Sequence, residues 1–260
     1  MLDCHIHIER GGYTPEWVGR FTEAAAARDI NEIWLLEHCY LFPEFTPMYD
    51  KLRAGNSYLD KWFARKAGTR DFNEYLRLAE LVRKRGCPMT IKFGLEVCYF
   101  KEHEGLVYGA TKDKGLDFIV GSVHFIDDFA YDHGENNEWN GIDVDWAYDR
   151  YFNAARDLAE CGIYDGIAHP DLLKLFGHKP SFSLAEQYDK LAAALAAGGM
   201  YAEQSGGAHR RCPDTCGPGM EAGLLAAMRR RGVKIQTASD AHCPEDVGLY
   251  IKEMELILRQ

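Results

Sequence analysis

Leu2-Asp3-Cys4-His5-Ile6-His7 leads to Thr14-Pro15, which reads as a helix start, and then to a run of helical period ending near Arg28. A short strand followed by a helix is one βα unit, and the twofold period of a strand sets His5 and His7 on one face. The same alternation recurs along the chain. Further strands are predicted at Glu32 to Glu37, Thr90 to Cys98, Asp117 to Val123, Tyr164 to Ala168, Gly199 to Glu203 and Val233 to Ser239. Helices are predicted at Pro15 to Arg28, Asp71 to Arg85, Asp143 to Cys161, Ser183 to Ala197, Gly219 to Arg231 and Glu245 to Arg259, with Gly86, Gly162, Gly198 and Gly232 where several should stop. About seven such units give an α/β protein with a parallel sheet, and that number favours a (β/α) barrel over an open sheet.

The 260 residues, 47% of them apolar, suffice for one large core. No repeat, linker or low-complexity tract divides the chain, so one domain over residues 1–260 is expected. Forty acidic against thirty basic side chains leave a formal net charge of -10, which speaks against a nucleic-acid surface. An anionic substrate then needs local positive charge from metal or a few arginines. No run approaches a membrane span, and the first residues lack the basic start and apolar core of a signal peptide, so a cytoplasmic protein with no membrane partner is expected. The eight cysteines are scattered without a Cys-x-x-Cys pair and are expected to be reduced; Cys212-x-x-x-Cys216 is a weak zinc spacing. Two connections, 39–70 and 125–141, are long and should lie at the strands' C-terminal face, as lids or as a small second hydrophobic cluster packed on the barrel. The first carries Phe42, Phe45, Tyr49, Tyr58, Trp62 and Phe63.

Of the ten histidines, His5, His7, His38, His124, His169 and His242 fall at or within two residues of a predicted strand's C-terminal end. Glu96 and Asp240 fall in equivalent places. A lone buried histidine is ordinarily a hydrogen-bonded core residue, but six on one rim point to metal. Imidazole and carboxylate without thiolate suit divalent zinc, manganese or iron. Eight such groups exceed the needs of one ion, so two or three ions are implied, with Glu96 as the bridge.

Asp3-Cys4-His5-Ile6-His7, Glu37-His38, Gly94-Leu95-Glu96, Gly121-Ser122-Val123-His124, Gly166-Ile167-Ala168-His169-Pro170-Asp171 and Ser239-Asp240-Ala241-His242 resemble, in order, the motifs of the PHP (polymerase and histidinol phosphatase) superfamily. Tyr148-x-x-Tyr151-Phe152 with Tyr164 to Lys174 is most similar to its stand-alone histidinol-phosphate phosphatases. The resemblance implies a distorted seven-stranded barrel, a trinuclear metal centre at the strands' C-terminal ends and phosphomonoester hydrolysis in histidine biosynthesis. Carried over by motif, His5, His7, Glu96 and Asp240 hold a first ion. Glu96, His124 and His169 hold a second, and His38 and His242 a third. The family has a further ligand after the first motif; here Glu9 is the preferred counterpart and Glu16 the fallback.

Water shared between two divalent ions is acidified, and the expected reaction is attack of a metal-bridged hydroxide on phosphorus. Glu96, Asp240 and His242 are the candidate catalytic groups, with Asp240 orienting the nucleophile or moving its proton. Arg210 and Arg211, after the sixth strand, are the candidate phosphate donors, against a reading as a solvated basic loop, and His209 a candidate substrate contact. His103, His133 and His178 are expected at the surface or behind the ligands. The alternatives are the same metal chemistry on another small ester, a phosphotyrosine protein or a nucleotide 3′ end; an amidohydrolase, which typically carries a bridging Lys where Glu96 stands; and a metal-binding sensor without activity.

Overall fold

The computed structural model describes residues 1–133 and 139–260, so part of the predicted connection 125–141 lies outside the described residues. Seven strands form one parallel sheet in chain order: β1 (Leu2–His7), β2 (Glu32–His38), β3 (Thr90–Cys98), β4 (Phe118–Ser122), β5 (Gly166–Ile167), β6 (Tyr201–Ser205) and β7 (Lys234–Ala238). The helices are α1 (Pro15–Ala26), α2 (Asp50–Gly55), α3 (Ser57–Lys66), α4 (Phe72–Arg85), α5 (Glu104–Thr111), α6 (Val144–Glu160), α7 (Ala185–Gly198), α8 (Gly207–Arg211), α9 (Ala222–Arg230) and α10 (Ile251–Leu258). No helix is long and apolar enough to cross a membrane among the described residues.

The sheet closes through β1 and the segment after β7. Ile6 bridges Ala241 in parallel, the His7 amide donates to the Ala241 carbonyl at 2.8 Å, and Thr237 Oγ1 donates to the Leu2 carbonyl at 2.6 Å. Buried Asp3 ties the same seam, accepting from the Ser239 amide at 2.8 Å, the Ser239 hydroxyl at 2.5 Å and the Gly248 amide at 2.9 Å. The barrel is distorted, because closure rests on an isolated bridge and β5 contributes two residues.

Cys4, Trp34, Leu36, Phe118, Val120, Ala168, Tyr201 and Ala238 form a cluster separate from the main core. The rings of Trp34 on β2 and Tyr201 on β6 meet at 5.4 Å across non-neighbouring strands, which places this cluster inside the barrel. The register of β1 shifts between Asp3 and Ile6, and Cys4 joins this inner cluster while Ile6 packs in the outer core. A strict twofold period would have put both on one face.

Segment 39–70 is largely helical. Two 3₁₀ turns, Cys39–Leu41 and Pro43–Tyr49, precede α2 and α3, with Asn56 capping α3 through the amides of Tyr58 and Leu59. Phe42, Phe45, Tyr49 and Phe63 are fully buried in the main core, and Phe100 and Tyr99 pack with them, so these aromatics serve packing and not the site.

Candidate metal centre

The strand ends carry the side chains into one mouth. β1 supplies His5 and His7, β2 His38 and β3 Glu96, while His124, His169, Asp240 and His242 follow β4, β5 and β7. Glu96 is the hub: Oε2 lies 2.7 Å from His38 Nδ1 and 3.5 Å from His7 Nε2, and Oε1 lies 3.1 Å from His169 Nε2 and 3.3 Å from His124 Nε2. The Nε2 atoms of His5 and His7 approach to 2.9 Å. Asp240 Oδ1 lies 3.7 Å from His5 Nε2, 3.8 Å from His7 Nε2 and 3.5 Å from His242 Nε2. Glu9 Oε1 lies 2.8 Å from His242 Nδ1. His7 stacks between His38 and His242, with ring centroids at 4.0 and 4.4 Å.

His169 and Asp240 both have positive φ, 28° and 56°, a costly conformation that aims their side chains inward. A Cβ on Gly207 would stand 2.0 Å from Asp240 Oδ2, so only glycine admits the Asp240 carboxylate there.

The charges are mutually arranged. Burial would raise the Glu96 carboxyl, but His38, His124 and His169 outweigh it and hold it well below the carboxylate range. Burial likewise opposes ionisation of Asp240, yet His242 and His5 keep its pKa low. Burial would lower His242, whereas Asp240 and Glu9 raise it to about 9. Burial dominates at His124, taking it down to about 4, and at His7, which is further lowered by the neighbouring imidazoles. At His5 burial is outweighed by Glu203 and Glu96, and its pKa is raised.

Three sets of possible ligand atoms each lie within 4.8 Å of one another: His5, His7 and Glu96; Glu96, His124 and His169; and His7, His38 and His242. A fourth joins His7, Glu9 and Glu37. His7 Nδ1, Glu9 Oε2 and both Glu37 oxygens are buried without hydrogen-bond partners, and Glu96 Oε2, though 2.7 Å from His38 Nδ1, is not in hydrogen-bonding geometry with it. Orphaned oxygens beside converging imidazoles are costly in a protein interior and fit a divalent cation.

Other expectations change. Glu16 is exposed and pairs with Arg85 at 2.9 Å, far from the cluster's partners, so only Glu9 adjoins it. His209 is turned away, its Nδ1 on the Cys216 carbonyl at 2.6 Å and its ring on Tyr250. Arg210 lines the mouth but braces it, bound to Asp246 at 2.5 Å and to the Asp240 carbonyl at 2.6 Å, with its Nε buried and unpartnered. Arg211 lines the same mouth, as expected of a phosphate donor, and donates to the Asp132 carbonyl at 2.6 Å. The cavity of about 390 Å³ over the cluster is also lined by Tyr58, Trp62, Asp132 and His133, from the two connections expected at this face, and by Arg10, which the sequence reading did not single out. His103 packs edge-on to Phe100 and His178 stacks on Trp139 at 4.2 Å, away from this cavity.

Three supporting residues also have no role in the sequence reading. Glu203, buried on β6, accepts from His5 Nδ1 at 3.0 and 3.1 Å and from the His169 amide at 3.2 Å. Cys98 Sγ and Ser122 Oγ lie 3.1 and 3.3 Å from His124 Nδ1. Glu203 carries the same signal as Glu96, a carboxylate at the C-terminal end of a strand.

Fold and mouth together define a β/α-barrel protein built to hold divalent metal at its strand ends. The chain belongs to the PHP domain family, whose model matches residues 3–205. A probable histidinol-phosphatase of Deinococcus radiodurans is 27% identical over 255 residues, covering 95% of this chain and 88% of that protein. Among solved structures, histidinol phosphate phosphatase of Lactococcus lactis, complexed with zinc, L-histidinol and phosphate, superposes with a TM-score of 0.72 at 19% identity, covering 99% of this chain and 92% of the other. A putative histidinol phosphatase of Listeria monocytogenes gives 0.76 at 20% identity over 97% and 99% of the two chains. At these identities the superpositions establish a shared fold.

Proposed function

We propose that the protein is a metal-dependent phosphomonoesterase that hydrolyses histidinol phosphate to histidinol and phosphate. The observation that carries the chemistry is the contact of one buried carboxylate, Glu96, with the imidazoles of His38, His124 and His169, beside the converging His5, His7 and Asp240. The substrate is supported by the histidinol-phosphatase relative and by the fold shared with the L. lactis enzyme.

Two or three divalent ions would be held, by His5, His7, Glu96 and Asp240, by Glu96, His124 and His169, and by His38, His242 and Glu9. Bound there, they supply Lewis acidity that activates water and offsets charge on the phosphoryl oxygens. The chain's own groups do the rest. Arg10, exposed at the rim, and Arg211, half-exposed on the same cavity, are placed to donate to phosphoryl oxygens, while Arg210 braces Asp240. Asp240, held by His5 and His242, keeps its charge and can accept a proton at Oδ1. The walls of the cavity exclude bulk water, which strengthens each of these interactions. Eight free thiols suit a reducing cytoplasm.

The test is hydrolysis of histidinol phosphate, p-nitrophenyl phosphate and a phosphotyrosine peptide by the metal-reconstituted protein, with Glu96→Ala as control. Strong preference for histidinol phosphate, lost by at least about a thousandfold in the control, is expected. Equal or better turnover of the other esters overturns the substrate, and inactivity on all three with metal bound overturns the reaction.

A further inference from the structure

Three carboxylates line the cavity over the cluster: Glu96, Asp240 and Asp132. The first two face the imidazoles. Asp132 lies further out, near enough for its charge to act on His124, with its side chain 13% exposed. Its Oδ1 is buried and, among the described residues, has no hydrogen-bond partner, the nearest cationic candidate being His133 Nε2 at 3.9 Å. Its backbone is fixed by Arg211, whose Nη2 donates to the Asp132 carbonyl at 2.6 Å while Nη1 stands 3.7 Å from Oδ2. Oδ1, being buried, is closed off, and the part of the carboxylate that borders the cavity is Oδ2, 3.7 Å from Arg211 Nη1 and free to accept from whatever occupies the cavity.

The wall beside it is aromatic. His133 meets Trp62 at 5.1 Å and Tyr58 at 5.7 Å between ring centroids, with the Tyr58 hydroxyl 3.2 Å from His133 Nδ1. Tyr58 and Trp62 come from α3, so the segment between β2 and α4 contributes to the mouth as well as to the core. A carboxylate with a free lone pair next to aromatic faces suits an organic cation, which gains a charge-assisted hydrogen bond and a cation–π contact together. The basic side chains Arg10 and Arg211 and the metal cluster line the same cavity and suit an anion. One cavity therefore offers both ends of a molecule that is phosphate at one terminus and ammonium or imidazolium at the other.

We propose that Asp132 is the specificity determinant of this site, selecting phosphate monoesters whose alcohol portion carries a positive charge. This rests on the phosphomonoesterase reading above and adds the group that distinguishes one ester from another. A mostly buried carboxylate left unpaired by a neutral ester costs binding that a cationic ester recovers, so discrimination resides in the unmet carboxylate as well as in the contact made.

The test compares the metal-loaded protein with Asp132→Asn, an isosteric change, on histidinol phosphate, 2-aminoethyl phosphate and the neutral n-propyl phosphate. The ratio of kcat/KM for cationic over neutral esters should fall about ten- to a hundredfold in the variant, chiefly through KM, with metal content per chain unchanged. A second readout needs no turnover: calorimetric affinity for L-histidinol in the presence of phosphate should weaken by about the same factor. An unchanged ratio, or equal loss on charged and neutral esters, overturns the role of Asp132. If the wild-type protein hydrolyses none of the esters, the phosphomonoesterase reading fails. The histidinol titration then still decides whether Asp132 binds the cation.

Discussion

Glu203 shows how one side chain sets the state of another. By accepting from His5 Nδ1 it fixes the proton on that nitrogen and turns the Nε2 lone pair toward His7 and Glu96. The same carboxylate accepts the His169 amide, so it steadies two of the converging imidazoles at once. Glu203→Gln should keep the fold but lower metal affinity about ten- to a hundredfold, read by competition with a chromogenic chelator. An unchanged affinity would show that His5 needs no such partner. Gly207 acts by what it lacks: any larger residue there would meet Asp240 before the metal did.

At the level of elements, the seam between β1 and β7 lacks a continuous ladder and is tied by Asp3. Removing its carboxylate in Asp3→Ala strands the Ser239 amide, the Ser239 hydroxyl and the Gly248 amide in a dry place, at a cost of about 2 to 4 kcal/mol. For a chain of this size the melting temperature should drop by roughly 5 to 15 °C in scanning calorimetry. A drop under a degree would mean that the Ile6 to Ala241 bridge closes the barrel unaided. The elements themselves were mostly legible. β1 and β3 run as the sequence reading has them, because strong apolar runs end at polar or glycine-rich breaks. β5 shrinks from the expected Tyr164 to Ala168 to Gly166–Ile167, since only these two residues pair with both neighbouring strands. α5 was not foreseen, as Gly105 and Gly109 weaken its helical pattern. The helices of 39–70 hid behind Pro43, Pro47 and Gly55, and which of its aromatics reach the cavity is decided by packing that has no local signature. Strand-end histidines could be read because the barrel assigns them a place. The connection 125–141 was expected over the mouth, but which of its residues enter the cavity, Asp132 and His133 among them, is decided only when the chain folds back.

For the molecule as a whole, burial sorts its thiols. Cys4, Cys39, Cys98 and Cys216 are buried, Cys87 is exposed and the others are intermediate. Burial pushes Cys39 up to about 12, against the Tyr49 hydroxyl and backbone hydrogen bonds that oppose it. Thiolate being the reactive form, Cys87 should react first with a maleimide at pH 8, and the four buried thiols only with global unfolding. Rapid labelling of Cys39 or Cys98 in the native protein, located by peptide mass mapping, would show that the barrel opens locally beside the cluster.

Ile6 and Ala241 meet although 235 positions separate them, and Asp240 and His242 flank that meeting point. During synthesis, β1 with its two histidines can pair with β2 early, but its closing contact must wait for Ala241. The complete cluster is thus assembled late: a nascent chain can gather Glu96, His124 and His169 before Asp240 and His242 exist, and full metal capture reports that the barrel has closed.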